Sequence, residues 1–222
     1  RYLQRRVGAL PEGLPRLKAR IAIAMASIAA EARAAAVRRA GRLLDRELER
    51  QVLPDGSHYS RNPQASVDLL FDLLPLRQSY INLGHDVPPK LIPVIDRIYP
   101  AVRFFRHSSG DLALFNGASS SLATDLMSVL RYDETAGQPF KALPHGGYHR
   151  LAGGETIILV DTGTPLSARL SATAHAGCLS FELSSGRNRF IINTGSPRFA
   201  GERLRQLART TAAHSTLCIG DV

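Results

Sequence analysis

The sequence predicts an α+β protein: a helical segment of the (α/α) toroid type, followed by an antiparallel β-sandwich. Three observations carry this. Apolar residues recur at helical spacing through the first two thirds of the chain. From about Gly146 the texture changes to short β-prone runs separated by Gly, Asn, Thr and Pro. Between them, Gly137, Pro139, Pro144 and Gly146-Gly147 cluster as breakers. The expected units are residues 1–140 and 146–222.

The helical half is taken first. Residues 11–50 read as helix, with Pro15 in the first turn and Ile21, Ala24, Met25 and Ile28 on one face. Gly41 is the expected break, and Leu43, Leu44 and Leu48 give a second stripe. Residues 66–82 form the next helix, ended or kinked at Pro75. Leu91 to Phe105 form a third, interrupted near Pro100. Helices in pairs joined by short loops suggest a bundle or a toroid.

The expected strands are Thr156–Asp161, Cys178–Ser184, Phe190–Asn193 and Thr216–Ile219, with turns at Asp161-Thr162-Gly163, Ser185-Gly186 and Thr194-Gly195. Cys178 and Cys218 lack metal-ligand spacing and sit in apolar runs, so they read as buried thiols.

With 222 residues the chain can bury a sizeable core. No apolar run approaches the ~18 residues of a membrane span. The opening RYLQRR is no secretory signal, and the chain reads as an internal piece of a longer protein. Net charge is +9, and residues 1–50 hold 12 Arg or Lys against 5 Asp or Glu. Such a face attracts nucleic acid, an anionic membrane or an acidic polysaccharide. Aromatic residues are few and no nucleic-acid motif accompanies the charge, which disfavours the first.

One loop concentrates chemistry. In Leu53-Pro54-Asp55-Gly56-Ser57-His58-Tyr59-Ser60-Arg61-Asn62-Pro63, the Asp-Gly pair signals a turn and Pro63 pushes Asn62 out of the helical region. Between these breakers stand groups that grip an anion or move a proton, although a solvated connection with a capping Asn reads equally well.

Two motifs carry a resemblance to the heparinase II/III-like polysaccharide lyases. The stretch Asp55 to Ser66 resembles the family's D-G-x-x-x-E-R-S-P-x-Y-H. The stretch Thr173-Ala174-His175-Ala176-Gly177-Cys178-Leu179-Ser180-Phe181-Glu182-Leu183 resembles H-x-H-x-D-x-L-S-F-E-L. Arg209 to Leu217 resembles R-T-x-x-H-N-S-L, and Asn193-Thr194-Gly195 falls where the family carries an Asp before a Gly. The resemblance implies an (α/α) toroid with a β-sandwich. It also implies a bacterial protein, periplasmic or cytoplasmic, whose partner is an acidic, uronate-containing glycan such as a glycosaminoglycan, cleaved by β-elimination.

That reaction needs a neutraliser for the C6 carboxylate, a base for the C5 proton and an acid for the leaving oxygen. The family's Tyr position is Ala65 here, and its sheet-domain catalytic His position is Thr173. His58, Tyr59 and His107 are therefore the candidates for proton transfer from shifted positions. Arg16, Arg61, Asn62 and Asn116 are the candidates for holding the uronate, Arg16 standing where the family has an Asn or His neutraliser. A lyase-like scaffold that binds anionic glycan without cleaving it is the alternative. No cofactor is firmly expected. Some family members carry a structural zinc on two His and one Asp; His175, Asn193 and His214 occupy those positions. A hydrogen-bonded histidine pair is the other reading, since a neutral Asn is a poor zinc ligand.

Overall fold

The computed structural model describes residues 2–218 apart from 122, 136, 198 and 200, and the side chains of 123 and 171–173 are not described. A helical half precedes a five-stranded antiparallel sheet. The helices are α1 (Tyr2–Arg6), α2 (Leu14–Ala29), α3 (Ala34–Gln51), α4 (Pro63–Asn82), α5 (Leu91–Phe104) and α6 (Ala123–Leu130), with a late α7 (Glu202–Leu207). The strands are β1 (Ala142–Leu143), β2 (Tyr148–Gly153), β3 (Thr156–Asp161), β4 (Phe181–Ser185) and β5 (Asn188–Ile191), paired in chain order.

Sequence explains most helix limits. Pro15 lies in the first turn of α2, and Asn62 caps α4 by accepting the Gln64 N–H at 2.8 Å. The break between α2 and α3 falls at Ala30–Arg33 rather than at Gly41, because Glu31 takes a left-handed conformation (φ 47°). Gly41 instead lies inside α3, where Pro88 comes so close that a β-carbon would stand 3.1 Å from it. Pro75 and Pro100 also stay inside α4 and α5. An interior proline costs ~3 kcal/mol or more; buried neighbours such as Leu73, Leu76, Ile98 and Val102 supply the compensating burial.

The sheet extends the expectation from sequence. β1 and β2 were hidden among glycines and charged residues, whereas Thr156–Asp161 matches β3. Thr216–Cys218 form no strand, and residue 219 lies outside the described residues. The segments after β3 and after β5 hold 3₁₀ turns, at Ala168–Thr173 and Thr211–Ala213. Both cysteines are exposed, not buried, because each stands in an irregular segment outside the strands.

The two sheet faces differ in character. Tyr148, Leu159, Asp161, Glu182 and Ser184 are buried, at alternate positions of β2, β3 and β4. Leu151, Ile158, Val160, Phe181 and Leu183 alternate with them and remain at least partly exposed. The side with the polar groups meets the helices. Arg150 reinforces that contact by donating to the carbonyls of Phe104 and Arg106, at 2.7 and 2.9 Å, just where α5 ends.

Candidate functional site

The 53–62 loop is a fastener between the two halves. Gly56 has φ 84°, and a β-carbon there would collide with the Arg97 carbonyl oxygen, so only glycine fits. One Asp55 oxygen accepts from Ser57 N–H and Oγ–H at 3.1 and 2.6 Å. Its other oxygen accepts from the His145 and Gly146 N–H groups, both at 2.8 Å, at the entry to β2.

His58 does not fit a proton-transfer role. It is 1% exposed, and both ring nitrogens are occupied. Nδ1 meets Ser60 Oγ at 2.6 Å, and Nε2 meets Gln51 Oε1 at 2.9 Å. Gln51 spends its amide on Glu47 at 2.7 Å, so its oxygen must accept and His58 Nε2 must carry the proton. Burial lowers the pKa to about 3. The Tyr59 hydroxyl is buried beside the Gly13 backbone, and burial pushes its pKa up.

His107 is equally enclosed. Nε2 meets Glu182 Oε2 at 2.9 Å and Nδ1 meets Ser184 Oγ at 2.8 Å. Glu182 Oε1 accepts from Leu114 N–H at 2.9 Å and from the backbone and side-chain amides of Asn193, both at 3.2 Å. Asn193 Oδ1 then accepts from Ser215 N–H at 3.1 Å. This is a structural joint, and it takes Asn193 away from any metal. His58 and His107 share no hydrogen-bonding partner and neither lines the cavity described below.

Arg61 forms the second joint. It sits at φ 60°, nearly buried. Nε donates to Gly146 O at 2.9 Å, Nη1 to Thr164 O at 2.7 Å, and Nη2 to the Asp161 carboxylate. Asn116 donates to the other Asp161 oxygen at 3.0 Å and to Tyr148 Oη at 2.7 Å, while Tyr148 donates to Arg61 O at 2.6 Å. Burial pushes the Asp161 carboxyl up against the opposing pull of Arg61, and raises Tyr148 well above its ordinary value. The Arg61 guanidinium is thus committed internally. Arg16 is engaged as well, donating to Leu10 O at 2.7 Å and pairing with Glu12. Arg50 and Arg169 also contact Glu12; the hydrogen bond from Arg50, then the charges of Arg50, Arg169 and Arg16, hold its carboxyl below the usual range.

A cavity of about 190 Å³ opens where the halves meet, bounded by Arg61, Asn116, Asp161, His175, Gly177 and Cys178. His214 Nδ1 lies 2.8 Å from Thr210 O, so it carries a proton and donates. In a neutral pair His214 Nε2 is then the acceptor, and His175 Nδ1 donates to it across 3.2 Å. His175 also meets the Ala208 backbone, and in this tautomer its Nε2 carries no proton. That nitrogen faces Gly117, where a β-carbon would stand 3.1 Å from it and 3.6 Å from Asn62 Nδ2. Burial, then the charges of His214 and Arg209, lowers the His175 pKa to about 4. On the other side of Arg61, a cleft of about 350 Å³ is lined by His145, His149 and Thr162.

These residues do not fit a zinc ion. The two imidazoles point at each other across one proton, and Asn193 is turned into the Glu182 joint. Among the described residues no group of three or more His, Cys, Asp or Glu is placed to hold a metal. The Thr173 side chain lies outside the described residues, and Ala65 is buried in α4. Sequence reasoning passed over Asp161, Tyr148 and Glu182. In the sequence Asp161 ends an expected strand and opens an expected turn; Glu182, a carboxylate at an inward strand position, is the signal available.

Residues 135–222 match the family model described as heparinase II/III-like, C-terminal. Over 176 residues the chain is 36% identical to FtsZ-localized protein C of Caulobacter vibrioides (strain NA1000 / CB15N), covering 79% of this chain and 30% of that protein. A heparinase III structure superposes with a TM-score of 0.72 at 16% identity, covering 92% of this chain and 38% of that one. A heparan sulfate lyase from Pedobacter heparinus gives 0.68 at 16% identity, over 95% and 38%. The chain therefore spans about a third of the length of the relatives it matches. Among the described residues no helix is long and apolar enough to cross a membrane. Residues 135–222 are a heparinase II/III-like C-terminal domain, joined to a helical region with the fold of the heparinase III structures.

Proposed function

We propose that this protein binds an acidic glycan across the junction of helices and sheet and does not cleave it. The observation behind this is the pairing across Gly117, beside the cavity: His175 Nε2, an acceptor in the neutral pair, and the Asn62 Nδ2 donor both stand within reach of the place a side chain would fill. Together they suit a sugar hydroxyl, which both gives and takes a hydrogen bond. The clefts on either side of Arg61 give a chain room to pass, and the net charge of +9 attracts a polyanion. Proton abstraction is poorly served. A base works best with a pKa near the operating pH, and His175 lies near 4. The other candidates, His58 and His107, are sealed.

The outward apolar face of the sheet supports a sandwich with a second layer packed on Ile158, Val160 and Leu183. The boundary near residues 140–146 remains our assignment of the two units.

The test uses the full-length protein with heparan sulfate and other uronate oligosaccharides. Calorimetry should show binding, while the ultraviolet absorbance of an unsaturated uronate product stays flat. A rising absorbance restores the lyase reading, and no binding removes both. The likeness to FtsZ-localized protein C favours a second reading, in which the protein works beside FtsZ. Imaging a tagged full-length protein together with FtsZ tests it, and a diffuse signal rejects it.

A further inference from the structure

A second cavity, of about 390 Å³, lies between α3 and the loop joining α4 to α5. It shares no lining residue with the junction cavity. Its size falls within the range of about 300–1,000 Å³ usual for small-molecule sites. We propose that it binds a hydroxylated carboxylate of monosaccharide size, a sugar acid.

Tyr80 lines this cavity and is 1% exposed, yet its hydroxyl has no hydrogen-bond partner among the described residues. Such an orphan is costly unless something answers it. The hydroxyl lies beneath the place where α3 carries no side chain, 3.6 Å from where a Gly41 β-carbon would stand. Burial pushes the Tyr80 hydroxyl up to about 12, so it is present as a donor. Asp45, also buried, uses one carboxylate oxygen to accept the Lys90 N–H at 3.2 Å. Its second oxygen is left for a ligand hydroxyl.

Arg38 and Arg42 stand one turn apart on the rim, and neither forms an ion pair among the described residues. Two guanidinium groups match a carboxylate. Asp45 and Asp86 oppose a second negative charge, which disfavours a phosphate dianion. One negative group flanked by hydroxyls is the chemistry that satisfies donor, acceptor and cations together. The inference is independent of the glycan reading.

The test titrates glucuronate into the full-length protein and its Tyr80→Phe and Arg42→Gln variants by calorimetry. Glucose, acetate and glucose 6-phosphate serve as comparison ligands. Glucuronate should bind, and glucose and acetate should each bind at least about tenfold more weakly, since each lacks half the contacts. Each variant should weaken glucuronate by about five- to tenfold, the scale of one lost hydrogen bond or charge contact. Tyr80→Phe removes a hydroxyl that bonds nothing among the described residues, so its melting temperature should hold. No binding at about 10 mM glucuronate, a Kd beyond any useful range, overturns the proposal. So does tighter binding of glucose 6-phosphate. Binding that survives Tyr80→Phe but weakens in Gly117→Ala would place glucuronate in the junction cavity, refuting this site and leaving the glycan reading intact.

Discussion

Arg61 and Asp161 stand 100 residues apart in the chain and form one buried ion pair across the junction of helices and sheet. Removing one partner from such a pair strands the other charge away from water, at a cost of about 3–5 kcal/mol. Arg61→Ala should lose stability on that scale in urea unfolding, and Asp161→Ala similarly. The double variant should cost less than the sum. Additive losses would show that the two charges do not depend on each other.

His58 makes stability sensitive to acid. Its folded pKa of about 3 lies below the ordinary 6.5, so the unfolded chain binds a proton that the fold refuses. Stability is full above pH 6.5 and falls as pH drops toward 3, by up to about 5 kcal/mol from this group. His175, with its pKa lowered to about 4, acts in the same direction. Unfolding curves from pH 7 to 4 should show the fall, and His58→Gln should flatten it. An unchanged slope in His58→Gln would place the acid sensitivity elsewhere.

The His175–His214 hydrogen bond fixes both tautomers. Long-range proton–nitrogen NMR at pH 7 should show a proton on Nδ1 of each ring and bare Nε2 nitrogens. Protein purified without chelator should contain zinc well below one equivalent. A stoichiometric metal would mean that the two rings separate to bind it.

Gly56→Ala should be severely destabilising, by about 3 kcal/mol or more, because positive φ and the Arg97 carbonyl both exclude a side chain. Gly153→Ala is the control, as a β-carbon there meets nothing within 4 Å. Comparable melting temperatures for the two variants would contradict the loop geometry.

The helical half was legible because its signals are local. The stripe through Ile21, Ala24 and Ile28 shows the periodicity of α2, and Asn62-Pro63 announces the start of α4. Interior positions of Pro75, Pro100 and Gly41 were not legible, since packing against distant residues overrides local propensity there. Asp55-Gly56 was legible as a turn, but not as a clamp on His145 and Gly146, about ninety residues away. The site was read through residue types. Histidines suggested proton transfer, and only burial reveals that His58 and His107 are enclosed. Their partners, Gln51 and Glu182, come from α3 and β4, and nothing in the linear order links them.

The inward polar face of β4 has a consequence for assembly. Side chains alternate along a strand, so a slip of one residue would exchange Glu182 for Leu183 opposite His107. The imidazole, the Leu114 amide and Asn193 would all lose their acceptor at once, with a carboxylate displaced to the apolar side. Lost hydrogen bonds and a misplaced charge add to the penalty that any buried face imposes on such a slip, so docking against the helices proofreads the alignment of the strands.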